Sequence, residues 1–476
     1  MIRFNQVKKF QKSKLNREYK YGWKNSIPLG LYAQKSLLKI DFYINLFSVF
    51  RPFGRLDISY QKILLHIIRR IHLMNFEMTG KLSIPKETEK FHPDTEKTYE
   101  SGWVRKQLMF NVACGDNRHM LTVTAGAFGD GHGDIYSFTK GSVDENGKKV
   151  KGESIKIPFK ERLTSPKLAE IAEFKKFIID LEKPGRRYKL EKAAEKIKEG
   201  TSLTDEELKE IGLENEADVN SELEKSNKRR HEFISEWDFV DMIKKVVNSD
   251  KYKNKKFFIR GNGEYQYSDK NERVYESYVP NRIYLAADDA EESSTATINI
   301  LFNSESLDDM SVEEKGKYYV NGYMMEYDNN RKGNIPVPVT ITIPVPSYDT
   351  DEKAKKRAES IKHKFMVDDD TFKEYGTVVN MLNGAQKTEI TEDMLTDEER
   401  EDVECGLITL DDIRRDLGGN VYGERVKEYQ FAKPARNFAR GRKDTVYTAE
   451  DMIIKSLEDE LPDGTEDLFE DDDDEL

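Results

Sequence analysis

Two neighbouring runs of the chain, 103–113 and 119–127, alternate between apolar and polar residues over almost their whole length. A period of two is the pattern of a β-strand with one buried face, and the Gly-Asp-Asn segment between the runs is typical of a tight turn. The first run places Val104, Leu108, Phe110 and Val112 on the core side. Its other face holds Trp103, Arg105, Gln107, Met109 and Asn111. The sequence therefore predicts a β-hairpin with one buried face.

Strand and helix signals then occur twice in the same order: a strand, a long hairpin, a helical excursion and closing strands. This order suits two five-stranded barrels of the oligonucleotide-binding (OB) type. We predict a β-rich α+β protein with an OB-like domain at 74–287, a large helical insertion at about 165–248, and a second OB-like domain at 295–432. A sandwich arrangement of the same strands remains the alternative, because strand order is not visible in one sequence.

Helix-start signals mark the insertion and the second unit. Ser165 followed by Pro166 predicts a helix start, since proline fits the first helical turn. Apolar residues continue from there at helical spacing: Leu168, Ile171, Phe174 and Ile178. Capping-box spacing occurs at Thr204 with Glu207 and at Thr396 with Glu399.

Charge is distributed unevenly along the chain, which has 77 Lys and Arg, 89 Asp and Glu, and a net charge of -12. Residues 1–73 are basic, and we predict that they are over-called upstream sequence, with the native start at Met74 or Met78. A basic arm that binds nucleic acid or a membrane surface is the alternative. Residues 433–476 are predicted to form a basic linker, a short helix and a disordered acidic tail.

Motifs for catalysis and metal binding are missing from the sequence. The glycines of 418–423 are followed by Glu424 and Arg425, where a phosphate loop needs Lys and then Ser or Thr. Cys114 and Cys405 lie far apart, which excludes a disulfide framework and a thiolate zinc site and favours a reducing compartment. The Asp- and His-containing segment 129–134 is more typical of a solvated glycine loop than of a cation site. We predict a non-enzymatic protein with no metal and no cofactor.

The polar faces of the predicted strands combine rings with cations. Rings that stack on unpaired bases and cations that neutralise phosphates are what single-stranded nucleic acid requires. In the segment 256–260 the alternation leaves Phe258 on the outer face between two cations. The predicted DNA-binding residues are Trp103, Arg105, Lys106, Lys256, Phe258, Arg260, Tyr265, Tyr267, Tyr275, Arg282, Tyr319, Tyr323 and Tyr327. The alternative is that many of these rings pack against the inserted helices.

With its acidic C-terminus the chain resembles the bacterial and phage single-stranded DNA-binding proteins, which join barrel domains to a disordered acidic tail. The resemblance is architectural and covers residues 74–476, and its sharpest element is the segment 466–476, EDLFEDDDDEL. It implies a tail that competes with DNA and binds replication proteins such as a polymerase, helicase or primase. The implied partner-binding residues are Phe469, Asp471, Asp472, Asp473, Asp474, Glu475 and Leu476.

Together these features predict a protein that coats single-stranded DNA during replication, recombination or repair in a bacteriophage. We expect it in the cytoplasm, that of the host if phage-encoded, and without a membrane partner, since the apolar stretch 37–50 is too short to span a bilayer. The rival interpretation is a non-enzymatic structural or regulatory interaction protein, such as a virion component or an acidic DNA mimic.

Overall fold

The computed structural model describes residues 74–454, except 144, 146, 148, 346–351, 388–394, 410–411 and 414–421. The described residues all belong to one compact unit, Arg69–Leu476. The predicted basic segment 1–73 and the acidic tail from residue 455 onward lie outside the described residues. Within the described part of the chain, no helix combines the length and the apolar character needed to cross a membrane.

Strands dominate the described chain. The first half contains β1 (Asn75–Ser83), β2 (Asp94–Thr98), β3 (Trp103–Cys114), β4 (Asn117–Phe128), β5 (Asp134–Phe138), β6 (Ser142–Val143), β7 (Lys149–Val150), β8 (Ser154–Pro158), β9 (Phe177–Asp180), β10 (Arg230–Phe233), β11 (Lys256–Ser268) and β12 (Arg273–Leu285). The second half contains β13 (Ser293–Phe302), β14 (Leu307–Asp308), β15 (Lys317–Asp328), β16 (Gly333–Pro344), β17 (Lys373–Lys387), β18 (Tyr422–Pro434) and β19 (Lys443–Asp444).

Helices are short and lie between the strands. They are α1 (Arg186–Lys198), α2 (Asp205–Ile211), α3 (Val219–Lys228), α4 (Glu236–Val247), α5 (Val312–Lys315), α6 (Glu352–Phe365) and α7 (Asp397–Glu404). The apolar faces of α4 and α6 belong to the main hydrophobic core, through residues such as Phe239 and Phe365. Helices α1, α2 and α3 share a small apolar cluster of their own around Leu190 and Val219.

Backbone pairing joins five strands of the first half into a ring. Strand β1 pairs with β3 and β11, β3 with β4, β4 with β12, and β12 with β11. Among these five pairings, that of β4 with β12 is parallel and the others are antiparallel. The ring encloses fully buried side chains, among them Leu108, Phe110, Leu121, Phe257 and Ile283.

Five strands of the second half repeat this order of pairing. Strand β13 pairs with β15 and β17, β15 with β16, β16 with β18, and β18 with β17, and β16–β18 is the parallel pair. Antiparallel pairing of β1 with β13 joins the two halves into one large sheet. The predicted β-rich α+β class is confirmed: a large sheet with few helices.

Local sequence signals explain several elements. The predicted hairpin is confirmed as β3 and β4, with Trp103 opposite Phe128 and the turn at Gly115 in the left-handed region at φ 61°. Left-handed backbone favours glycine, which explains that residue. Both capping boxes are confirmed, at the starts of α2 and α7.

The helix predicted from Ser165 is wrong. Residues 165–180 contain two short 3-10 helices, Pro166–Ala169 and Glu173–Lys175, followed by strand β9. Ile171 is buried where it forms a β-bridge with Thr139, directly after β5, while Ile178 enters the sheet beside β12. The apolar residues at helical spacing therefore face different neighbours rather than one helical stripe. The insertion is only partly helical, because β9 and β10 extend the large sheet.

Candidate nucleic-acid interface

The outward face of the β3–β4 hairpin is open and has no carboxylate. It consists of twelve exposed or half-buried residues: Trp103, Arg105, Gln107, Met109, Asn111, Ala113, Arg118, Met120, Thr122, Thr124, Gly126 and Phe128. Two of these residues are arginines, and none is acidic. On a chain with 89 Asp and Glu residues, this face is a local reversal of the overall charge. A strand of phosphates therefore meets no direct repulsion from it.

Trp103 lies against the neighbouring strand at one end of this face. A Cβ atom at Gly126 would be 2.2 Å from the Trp103 ring, so glycine is what allows the indole to lie there. Phe128 meets the indole edge-on, with ring centroids 5.0 Å apart, and Trp103 remains 37% exposed. Arg105 is exposed beside it and donates a hydrogen bond to Gln107. Both predicted residues thus reach the surface.

Phe258 and Tyr284 form a second group of rings. They are directly opposite each other on β11 and β12, with ring centroids 6.3 Å apart and ring planes 26° from parallel. Their strand neighbours Phe257, Ile259 and Ile283 are buried in the core. The alternation therefore places this ring pair on the face of the sheet opposite the core, as predicted for Phe258.

Strand β1 connects the two groups of rings. Phe258 is opposite Thr79, Lys81 is opposite both Lys256 and Ala113, and Ser83 is opposite Asn111. Directly paired residues share one face of a sheet. The outward residues of β12, β11, β1, β3 and β4 therefore form one continuous surface, which we call the outer track. It begins at the Tyr284–Phe258 ring pair, passes Lys256 and Lys81, and ends at Trp103.

The predicted cations at the ring-pair end already have protein partners. Lys256 donates to the Ala290 carbonyl at 2.7 Å, Arg260 is 2.7 Å from a Glu77 carboxylate oxygen, and Arg282 is 3.5 Å from a Glu173 carboxylate oxygen. The Arg260–Glu77 pair is about half exposed on both sides. Exposed pairs of this kind contribute at most about 1 kcal/mol, so a phosphate can exchange with the carboxylate at little cost.

A groove of about 680 Å³ adjoins the ring pair. Phe258 and Tyr284 line it together with Tyr188 of α1, Arg187 and Arg230. Arg187 is bound by Asp180 and by the Ser226 carbonyl, whereas the Tyr188 ring is exposed. The inserted helix therefore borders the rings without covering them.

Lys106 and Tyr265 belong to strands of the outer track but do not face it. Lys106 faces the opposite side of β3, where its ammonium group is 3.0 Å from Asp241 and 4.1 Å from the centre of the Trp237 ring. It therefore holds α4 against the hairpin. Tyr265 is buried, with its hydroxyl oxygen 2.8 Å from the Met74 sulfur, so its predicted place in a surface site is wrong.

Tyr267 and Tyr275 lie at the far end of the β11–β12 hairpin. The Arg331 guanidinium is 4.9 Å from the centre of the half-buried Tyr267 ring. Tyr275 is exposed, and its hydroxyl accepts a hydrogen bond from the Asn271 amide. More than half of β11 separates both residues from Phe258, so the structure does not bring them into the ring pair.

The second-unit tyrosines share one face of β15 and are half-buried. Tyr319 has the Lys315 ammonium group 5.4 Å from its ring centre, while Tyr323 packs against Phe372 with ring centroids 6.3 Å apart. Tyr327 lies opposite Asn334 on β16. Neighbouring residues therefore cover part of each tyrosine ring, whereas the outward face of the β3–β4 hairpin is open.

A buried polar cluster between the two units was not found by sequence reasoning. Glu276 accepts hydrogen bonds from Tyr429 at 2.5 Å, Tyr278 at 2.9 Å and Tyr265 at 3.3 Å, and its other oxygen accepts from Lys427 at 3.1 Å. Burial alone would raise the pKa of Glu276, but these hydrogen bonds and the Lys427 charge outweigh it and lower the pKa. The cluster ties β12 of the first unit to β18 of the second.

Two other regions singled out from the sequence are the 129–134 loop and the acidic tail. Among the described residues, no group of three or more His, Cys, Asp or Glu is arranged to hold a metal ion. In the 129–134 loop, Asp130 and His132 bond to each other and are exposed. The predicted partner-binding residues from Phe469 to Leu476 lie outside the described residues.

Comparisons with known proteins find neither a matching family model nor a matching curated protein. Among solved structures, the wild-type single-stranded DNA binding protein from Thermus aquaticus matches over 66% of this chain and 86% of its own, at 8% identity and a TM-score of 0.25. A deletion mutant of that protein covers 66% of this chain and 87% of its own, at 8% identity and a TM-score of 0.24. TM-scores this low carry no argument about this chain.

Proposed function

We propose that this protein binds single-stranded DNA along the outer track. The observation that supports it best is the hairpin face, which combines an exposed tryptophan and two arginines with no carboxylate on an acidic chain. Bases stack on Trp103 at one end and on Phe258 and Tyr284 at the other. Lys81 and Arg105 contact phosphates between these ends, and the displaceable Arg260 contacts a phosphate on the other side of Phe258.

In each half of the chain, five strands pair in a closed order, and this order supports their assignment as OB-type barrels. In the first half, strands one to five of the OB fold correspond to β1, β3, β4, β11 and β12. Strands two and three of that class are the ones that bind oligonucleotides. In this chain they are β3 and β4, which form the hairpin face. By the same reasoning, β15 and β16 are the oligonucleotide-binding strands of the second half.

Binding of this kind has little sequence preference, because every base offers a flat face for stacking. It depends strongly on salt, since phosphates release condensed counterions when they meet cations. We propose that the protein binds the strand without chemical turnover and serves DNA replication or recombination, as a phage-encoded coat. The acidic tail competes with DNA for the outer track and, once displaced, recruits replication proteins.

A titration of the full chain with a fluorescently labelled dT oligonucleotide tests the proposal. Phe258→Ala should weaken binding by about 1–3 kcal/mol, the range for loss of one stacking ring. Met310→Ala, which removes an exposed apolar side chain outside the track, is the control and should not change the affinity. Absence of binding by the wild type would instead favour the structural or regulatory interaction protein.

Trp103 gives the proposal an independent optical signal. The indole is exposed on the hairpin face, whereas Trp237 lies under Lys106. Stacking on a base should quench the fluorescence of Trp103. The chain also has Trp23, outside the described residues, so the comparison is made in a Trp23→Phe background. In that background, saturation with dT should quench the emission, and Trp103→Phe should remove most of the change while retaining binding. Quenching that survives in Trp103→Phe would contradict the role of the hairpin face.

A further inference from the structure

Three exposed rings cluster outside the outer track, on and beside strand β5. Tyr136 and Phe138 are 68% and 45% exposed on the outward face of β5, and Phe174 of the insertion is 73% exposed. Ile135 and Ser137 occupy the opposite, inward face. Aromatic side chains left in water forfeit the free energy of burial, and clustered exposed rings mark binding surfaces.

Lysines lie between and beside these rings. The Lys175 ammonium group is 5.4 Å from the centre of the Phe138 ring and 5.7 Å from that of Phe174. Lys156, on the partner strand β8, is 5.9 Å from the centre of the Tyr136 ring and 2.8 Å from an Asp134 carboxylate oxygen. We call these five residues, Tyr136, Phe138, Lys156, Phe174 and Lys175, the aromatic patch. Flat faces with interleaved cations match the chemistry of bases on a phosphate backbone.

Backbone contacts hold the aromatic patch in place. Thr139 and Ile171 form a β-bridge, the Ala172 amide donates to the Phe138 carbonyl at 3.0 Å, and the Lys140 amide donates to the Glu170 carbonyl at 2.8 Å. These bonds fasten the 3-10 segment that carries Phe174 to the end of β5. The rings are therefore positioned before any ligand arrives, which lowers the entropic cost of binding.

The aromatic patch adjoins the ring-pair end of the outer track. Glu173, next to Phe174 in the chain, lies 3.1 Å from Arg230 and 3.5 Å from Arg282. Arg282 in turn donates to the Tyr284 hydroxyl at 3.3 Å. A strand that leaves the Phe258–Tyr284 ring pair therefore passes these two arginines before it reaches Phe174.

We propose that the aromatic patch is a second stacking platform, which takes the bases of the same DNA strand where it continues beyond Tyr284. This inference rests on the proposed function, because the outer track must hold the first part of the strand. It goes beyond that function because two residues of the insertion, Phe174 and Lys175, contact the DNA directly. It also predicts that the length of strand the protein occupies is greater than the barrel alone would cover.

Affinity measured against a ladder of dT lengths tests this platform in the full-length protein. Phe174→Ala should lower affinity about fivefold to a hundredfold for strands long enough to reach the patch, the loss of one stacked base. The shortest strands that bind should not distinguish Phe174→Ala from wild type. Phe174→Leu should lose as much as alanine, because it keeps apolar area but has no flat ring. Phe174→Trp should bind as wild type does and gain fluorescence quenching on long strands.

The control is Met310→Ala, which removes an exposed apolar side chain outside both the outer track and the aromatic patch. It should leave the length dependence unchanged. If wild type binds and Phe174→Ala matches it at every length, the platform is refuted while the outer track stands. Full affinity in Phe174→Leu, or a change of oligomeric state in Phe174→Ala without DNA, identifies a protein contact and also refutes it. If wild type binds no DNA, the proposed function fails as well.

Discussion

The β11–β12 hairpin places its aromatic side chains in two contrasting environments. Phe258 and Tyr284 lie on the outer track and keep solvent-accessible ring surface, whereas Tyr265 and Tyr278 turn inward. The inward hydroxyls are bonded around Glu276, which satisfies their polar groups. Aromatic side chains of one hairpin thus lie at the surface in one place and join the two halves of the sheet in the other, and burial and hydrogen-bond partners distinguish them.

A register shift separates the two environments. Arg260 is opposite Arg282 but Gly261 is opposite Pro280, so Asn281 is an extra residue on β12. An extra residue in one strand reverses which side chains face inward beyond it. Ile283 is buried on one side of the shift, and Pro280 and Tyr278 on the other. Glycine is needed at 261, since a Cβ atom would lie 2.2 Å from the Val279 carbonyl oxygen.

The sharpest contrast is between two adjacent rings of β11. Phe257 is fully buried, so Phe257→Ala should lower the free energy of unfolding by about 3–5 kcal/mol, the usual cost of truncating a buried aromatic. Phe258→Ala should cost much less stability but reduce DNA affinity. Urea unfolding and DNA titration of both variants measure this. Equal losses of stability would show that Phe258 is a core residue.

The buried tyrosines should matter to stability through their hydroxyls. Tyr429→Phe removes the hydrogen bond to the ionised Glu276 and should lower the free energy of unfolding by about 1.5–3 kcal/mol, as hydrogen bonds to charged groups do. Affinity for dT should remain that of the wild type. Reduced affinity at unchanged stability would mean that the cluster takes part in binding.

A second buried carboxylate gives this region a pH dependence. Glu326 accepts one hydrogen bond, from the Met74 amide, and burial raises its pKa from 4.5 to about 8. The folded state therefore holds this proton more tightly than the unfolded state, and its contribution to stability is lost as pH rises from 4.5 through about 8. Glu326→Gln should gain stability above pH 8, up to roughly 5 kcal/mol at about 1.4 kcal/mol per pKa unit, and nothing near pH 4.5. Thermal unfolding at both pH values measures the difference.

The smallest effect is expected at a single cation of the outer track. Lys81→Gln should weaken binding slightly and reduce the slope of log affinity against log salt by about 0.7, the value for one phosphate of a single strand. Lys106→Gln is the comparison, because Lys106 is paired with Asp241 off the track. An equal change of slope in both variants would show non-specific attraction rather than a defined path.

Alternation along single strands predicts much of this arrangement. It indicates the β3–β4 hairpin, the inward Phe257 and the outward Phe258, because these placements depend only on the local sequence pattern and on packing against a single core. The same alternation, continued along β11 from Phe257 and Ile259, puts Tyr265 on the inward face, so its assignment to the DNA-binding residues does not follow from the pattern. The aromatic patch is missed because Phe174 has helical spacing to Leu168 and Ile171, yet the segment is held to β5 by tertiary contacts.

The most direct test of stacking on the outer track compares two strands with the same phosphates. A dT oligonucleotide and an abasic strand of equal length should be titrated with the full chain at the same salt concentration. With rings at both ends of the track, we predict that the abasic strand binds at least about 1–3 kcal/mol more weakly, the contribution of a single stacked base. Equal affinity for the two strands would contradict the account, because phosphate attraction alone would then explain binding.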